Sequence, residues 1–261
     1  MDYKLIALDM DGTLLNDKKE ITDKNKEAIS KATAQGVKIV LSSGRSYDGI
    51  AYAYKELGIS GSDEYMINCG GNLIESLDKE IIYEKVLDNS VCEKVARELN
   101  ENKLNYILID EEGNSYDSYQ EWMEQHMLNN ELGIVKFMVH THKRKLLEAA
   151  KLLHQKFDQE FFVVVTSKQD IEIFPKEVNK GKALKKLAKY LKIKADEILV
   201  IGDWDNDVPM IKFAGLGIAM GNSPEHVKKA SDEITADNNH SGVGQAIEKY
   251  VLKEGEALDE L

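Results

Sequence analysis

The sequence predicts an α/β protein: a doubly wound, Rossmann-like parallel sheet core interrupted by an inserted α+β domain. Three observations predict it. Short, uninterrupted apolar runs at residues 5–8, 37–41, 65–67, 198–201 and 216–219 read as strands buried on both faces, as a parallel sheet requires. Longer stretches with helical spacing separate these runs near both ends of the chain. From about residue 84 to about 178 the continuous runs give way to alternating, hairpin-like patterns.

Between the first two runs, Ile21, Ala28, Ile29 and Ala32 sit near helical spacing and Gly36 offers a stop, which together make one βαβ unit. In the middle region, residues 106–110 and Tyr116 flank Glu112-Gly113-Asn114, and residues 161–166 and 171–174 flank a second turn. Helical stretches near 91–100 and 143–157 complete an inserted domain with its own mostly antiparallel sheet, entered and left at hinges. Beyond it a lysine-rich helix opens at Lys180. Ser223-Pro224 reads as a capping hydroxyl before a proline at a first helical position, and residues 243–251 as a further helix. The acidic stretch 253–261 reads as a frayed tail. The expected division is therefore a core of residues 1–83 and 179–261 around an insertion of residues 84–178.

Composition narrows the function classes. With 261 residues and 43% apolar content the chain can bury a real core. Its two cysteines, Cys69 and Cys92, build neither a disulfide framework nor a four-cysteine zinc site, and free thiols suit a reducing, cytoplasmic setting. A formal net charge of −12 argues against nucleic acid and anionic membrane surfaces as partners. The opening Met1-Asp2-Tyr3-Lys4-Leu5 lacks the pattern of a signal peptide, and no apolar run approaches the roughly 18 residues of a membrane span.

Four segments carry chemistry. The first strand ends in Asp9-Met10-Asp11-Gly12-Thr13, where strand alternation is expected to point both carboxylates to one side and Gly12 lets the chain turn away. The carboxyl edge of a parallel sheet is where open α/β folds bind ligands. The second strand ends in Ser42-Ser43-Gly44-Arg45, a hydroxyl, a glycine amide and a guanidinium that together can grip phosphate oxygens. Lys180 combines a fixed ammonium with a helix N-terminus, a setting that suits an anion. Finally Gly202-Asp203-Trp204-Asp205-Asn206-Asp207 adds three carboxylates at the same edge. Such crowding of like charge calls for a cation, and oxygen-only ligands select a hard one such as Mg2+.

In this order, each after a strand, the four segments resemble the motifs of the haloacid dehalogenase-like superfamily, and within it the Cof-type phosphatases with an α/β cap. Ile171-Glu172-Ile173, Met220-Gly221-Asn222, and Asn238 with Gly242-Val243 add to the resemblance. It implies a Mg2+-dependent phosphatase for small phosphorylated metabolites, such as sugar phosphates or phosphorylated cofactors. It also implies the ion held by Asp9, Asp203 and the backbone carbonyl of Asp11, with Asn206 and Asp207 behind them. Asp9 would be the nucleophile, Asp11 the general acid and base, and Ser43 and Lys180 further catalytic groups. The phosphoryl group would sit among Asp9, Asp11, Gly12, Ser43, Gly44, Arg45, Lys180 and Asn206. Asp11, lying near a second acid, is expected to keep a raised pKa.

Three positions depart from the pattern: Gly70 in Cys69-Gly70-Gly71 replaces the usual asparagine, Ser223 an alanine, and His240-Ser241 an acidic pair. Gly215-Leu216-Gly217 is no dinucleotide fingerprint, because its glycines precede and enter a strand instead of following one. A phosphomutase and a non-catalytic phosphometabolite sensor are the rival readings. The sensor should lack the nucleophile or the acid, and both are present.

Overall fold

The computed structural model describes residues 3–126 and 133–253, so all but the first residue of the expected acidic tail lies outside the described residues. The chain opens with β1 (Leu5–Leu8), helix α1 (Asp23–Ala34), β2 (Lys38–Ser42), α2 (Tyr47–Glu56) and β3 (Tyr65–Asn68), then a hairpin of β4 (Leu73–Ser76) and β5 (Ile81–Glu84). The middle region holds α3 (Asn89–Glu101), β6 (Tyr106–Asp110), β7 (Ser115–Tyr116), α4 (Tyr119–His126), β8 (Ile134–His140), α5 (Leu146–Phe157), β9 (Phe161–Val165) and β10 (Asp170–Pro175). Helix α6 (Lys180–Leu191) then leads to β11 (Ile198–Gly202), β12 (Leu216–Ala219) and β13 (Glu233–Ile234).

Two sheets result. The larger has the order β13-β12-β11-β1-β2-β3-β4-β5, parallel from β13 to β3 and antiparallel through the β4–β5 hairpin at its edge. The smaller, β7-β6-β8-β10-β9, is antiparallel in every pairing. Continuous apolar strands are explained by the layers they separate. Ile6 and Leu8 of β1, with Leu199 and Ile201 of β11, bury against the layer containing α1, whereas Leu5, Ala7, Ile198 and Val200 bury against the layer containing α6. Alternation places successive residues in different cores, and both faces are dry. No helix among the described residues is long and apolar enough to cross a membrane.

Some local expectations change. Ile21 is buried but lies before α1, whose N-cap is Thr22, the side-chain oxygen accepting from the Asn25 N–H. Ser223 caps nothing: the one-turn helix Glu225–Lys228 starts after an extended Pro224, and the Ser223 hydroxyl is buried without a partner among the described residues. The closing helix divides into an α-helical Gly242–Ile247 and a wider π-helical turn, Glu248–Leu252.

The departure at Gly70 also has a physical reason. This residue adopts φ +72°, and a Cβ there would lie 2.6 Å from the Phe174 ring, which fills the space an asparagine would need. Asparagine tolerates the left-handed conformation, so the clash decides the outcome. Gly70→Asn should destabilise the protein by about 1–3 kcal/mol, the usual cost of overpacking. The additional substitution Phe174→Ala should relieve the clash, and denaturant midpoints of the single and double variants check this.

Candidate active site

Asp9 follows directly on β1 and is 6% exposed. The turn after it, with Gly12 at φ +88°, carries Asp11 back toward the same cavity, so a turn and not strand alternation brings the two carboxylates together. A Cβ on Gly12 would come within 2.4 Å of Asp203 Oδ2, so glycine is required both by the backbone and by the neighbouring acid. Asp203 follows β11, the strand paired to β1 on the other side, and its Oδ1 accepts from the Thr13 hydroxyl at 3.1 Å. Adjacent parallel strands thus deliver two acids to one point.

Lys180 is the first residue of α6 and is 1% exposed. Its ammonium donates to Asp9 Oδ1 at 2.5 Å and to Asp207 Oδ1 at 2.7 Å. Asp207 is fully committed, since its Oδ2 accepts from the N–H groups of Asp203 and Trp204. Ser43, Gly44 and Asn206 line the cavity of about 590 Å³ together with Asp9, Asp11, Gly12 and Asp203. Asp205 leaves the group: its Oδ1 lies 2.6 Å from His226 Nε2. Arg45 does not face an open anion site here. Its Nε and Nη2 each bond an Asp11 oxygen at 2.8 Å, and Lys19 Nζ adds a third contact at 2.7 Å.

Asp9, Asp203 and Asp207 each offer a carboxylate oxygen, all within 4.8 Å of one another. Burial, reinforced by Asp207, pushes Asp9 up to about 7 despite Lys180, and burial with Asp9 and Asp207 pushes Asp203 up to about 9. Burial alone would lower the Lys180 ammonium, but Asp207 and Asp9 outweigh it and hold it above its ordinary value. Three buried carboxylates against one ammonium leave a negative excess, and a hard cation relieves it. The donor set therefore fits a divalent ion, with Asp9 and Asp203 as the ligands that line the cavity and Asp207 occupied by Lys180 and two backbone N–H groups.

Asp11 runs against expectation. Burial acts to raise its pKa, but hydrogen bonds from Arg45 and Lys19 outweigh burial and hold the carboxyl below its ordinary value. The expected raised pKa is thus corrected, because Lys19 of the same β1–α1 connection and Arg45 of the loop after β2 both reach the acid.

A stability prediction follows from Asp9 and Asp203. Their folded-state pKa values are raised, so between about pH 4 and 9 these two groups hold more protons in the folded than in the unfolded chain, and the stability they contribute is lost as pH rises. The melting temperature of metal-free protein should fall across this range, and Mg2+ should restore more of it at pH 8 than at pH 5. Calorimetry at several pH values, with and without Mg2+, checks both signs.

Sequence reasoning missed Thr13, Lys19 and Asn222 as site residues. Asn222 Nδ2 donates to the Gly12 carbonyl at 2.9 Å and approaches Asp203 Oδ2 at 3.4 Å, which pins the turn beside the acid. Thr13 and Asn222 stood inside recognised segments; Lys19 carried no local signal.

An acid-lined cavity at the carboxyl edge of a parallel sheet, with a buried lysine between two carboxylates, defines a hydrolytic or phosphoryl-transfer class of α/β protein. The family model for haloacid dehalogenase-like hydrolases matches residues 6–247. A relative from Bacillus subtilis, the 5-amino-6-(5-phospho-D-ribitylamino)uracil phosphatase YcsE, is 31% identical, with 97% of each chain covered. The phosphoglycolate phosphatase of Methanobrevibacter smithii is 28% identical over 97% of this chain and all of its own. Among solved structures, a haloacid dehalogenase-like hydrolase from Bacteroides thetaiotaomicron is 32% identical with a TM-score of 0.76, covering 95% of this chain and 99% of that one.

The chain belongs to the haloacid dehalogenase-like hydrolase family, in its Cof-type branch. Its enzyme class is phosphoric monoester hydrolase.

Proposed function

We propose that the protein is a Mg2+-dependent phosphatase of small phosphorylated metabolites that works through an aspartyl-phosphate on Asp9. The observation that carries this reading is the placement of Asp9: buried, facing the cavity, and oriented by Lys180 at 2.5 Å. Its carboxylate attacks phosphorus, the bond to the leaving oxygen breaks, and that oxygen takes a proton from Asp11. Water then attacks the aspartyl-phosphate, gives its proton back to Asp11 and releases phosphate. Ser43, the Gly44 amide, Asn206 and Lys180 steady the phosphoryl oxygens. A Mg2+ ion held by Asp9, Asp203 and the Asp11 carbonyl would neutralise phosphoryl charge. Asp207 and Asn206 support this arrangement from behind.

The pairing of Asp11 with Arg45 and Lys19 adds a step to the reading. Before it can act as an acid, Asp11 must leave both cations and take up a proton from solvent, and a phosphate dianion entering the cavity offers the two cations a competing partner. Residues 84–178, with 12 basic and 18 acidic side chains, form the cap in this reading. It reads the leaving group while core groups hold the phosphate. Cytoplasmic location belongs to the same reading.

A panel of phosphorylated metabolites assayed for phosphate release, with and without Mg2+, tests it. Metal-dependent release from at least one ester is expected. Stoichiometric return of phosphate to a second hydroxyl would indicate the mutase, and binding with no turnover the sensor.

A further inference from the structure

Glu172 lies in β10 between Ile171 and Ile173, which are buried in the apolar cluster of the smaller sheet. Alternation turns Glu172 to the opposite face, and that face borders the cavity holding Asp9 and Ser43. The side chain is only 4% exposed. Lys136 of β8, itself 2% exposed, donates to Glu172 Oε1 at 2.6 Å and to the Gly44 carbonyl at 3.1 Å. Among the described residues no donor takes Glu172 Oε2. With Oε1 held by Lys136 and the residue on the cavity wall, Oε2 is the acceptor left open to a ligand.

The rest of the wall from this sheet has the same character. Thr166, Ser167, Lys168, Gln169 and Asp170 are all hydrogen-bonding residues, and among the described residues the aromatic ring that lines the cavity, Trp204, comes from the opposite wall beside Asp203 and not from this sheet. Among the described residues that wall offers no stacking surface for a planar ring. Lys136 already balances the charge of Glu172, so a neutral hydroxyl fits Oε2 better than a second cation. Its bond to Gly44, the neighbour of Ser43, ties this acceptor to the loop that would hold phosphate. Distance between the two ends of a substrate is thereby fixed.

We propose that Glu172, held by Lys136, is the specificity-determining acceptor for a hydroxyl of the leaving group, so that hydroxyl-rich phosphate esters are preferred to esters of equal length without hydroxyls. The inference rests on the phosphatase reading and deepens it.

Sorbitol 6-phosphate and hexyl phosphate, matched in chain length, test it on the full protein with Mg2+. Unaltered protein should favour the polyol ester in kcat/KM. In Glu172→Leu, which leaves no acceptor, that preference should fall by roughly 10- to 150-fold, the range for a lost hydrogen bond to a charged group, with most of the loss in KM. Because this variant leaves the Lys136 charge buried without its partner, the double variant Lys136→Met, Glu172→Leu is measured beside it, with melting curves for both. The double variant should lose the preference to the same extent. Equal losses for the two esters in a folded variant, or an unchanged preference, would overturn the role of Glu172 while leaving the phosphatase reading intact. No turnover of any ester by the unaltered protein would overturn both.

Discussion

Asp9→Asn is expected to lower turnover of every phosphate ester, activated aryl phosphates included, by at least about 10^4-fold, as loss of a covalent nucleophile does elsewhere. A good leaving group cannot rescue this variant, because the carboxamide forms no acyl phosphate and the first bond to phosphorus never closes. The loss should not come from unfolding. Lys180 keeps its contact with Asp207 at 2.7 Å, so its ammonium does not become an isolated buried charge. Melting curves alongside steady-state kinetics separate the two causes. A folded Asp9→Asn protein that still hydrolyses aryl phosphates within tenfold of the native rate would mean that water attacks phosphorus directly.

Removal of divalent metal should have an effect of similar size. Asp9 and Asp203 are buried at 6% and 7% exposure, with Asp207 fully enclosed beside them, and among the described residues Lys180 is the cation that pairs with this group. A phosphate dianion entering such a site meets net repulsion unless a cation accompanies it. Excess chelator should therefore bring turnover to background and Mg2+ should restore it. Calcium should bind and yet fail to support the reaction, since it takes more ligands at longer range and would displace Asp9 from its line of attack. Full rate in chelator, or a rate with Ca2+ equal to that with Mg2+, would contradict this account.

The parts legible in the sequence were those specified locally. β1 and β12 fall on the expected apolar runs, and the other three expected core strands shift by a residue at most at either end. A run buried on both faces has no other home. Asp9, Ser43, Lys180 and Asp203 could be read for a similar reason: each stands at a strand end or a helix start, and parallel strands bring such ends to one edge.

What escaped was set by contacts distant in sequence. The pKa of Asp11 is governed by Arg45, 34 residues away, and by Lys19. Nothing near Asp11 announces either partner. The bond from Lys136 to Gly44 joins residues 92 apart, and a lysine inside an apolar strand shows no partner in one sequence. Gly70 was readable as a departure but not as an accommodation, because the ring that excludes a side chain there belongs to Phe174. The Ser223 expectation failed differently: a serine before proline is a sound capping signal, but the chain stays extended through Pro224 and the helix that follows is a single turn.

Acid quenching of the native enzyme during turnover of a substrate carrying radiolabelled phosphate, followed by proteolysis and peptide sequencing, tests the central claim most directly. The account predicts label bound to protein through a base-labile bond, mapped to Asp9 and absent from Asp9→Asn. Rapid turnover with no label on the protein, or label on any other residue, would contradict it.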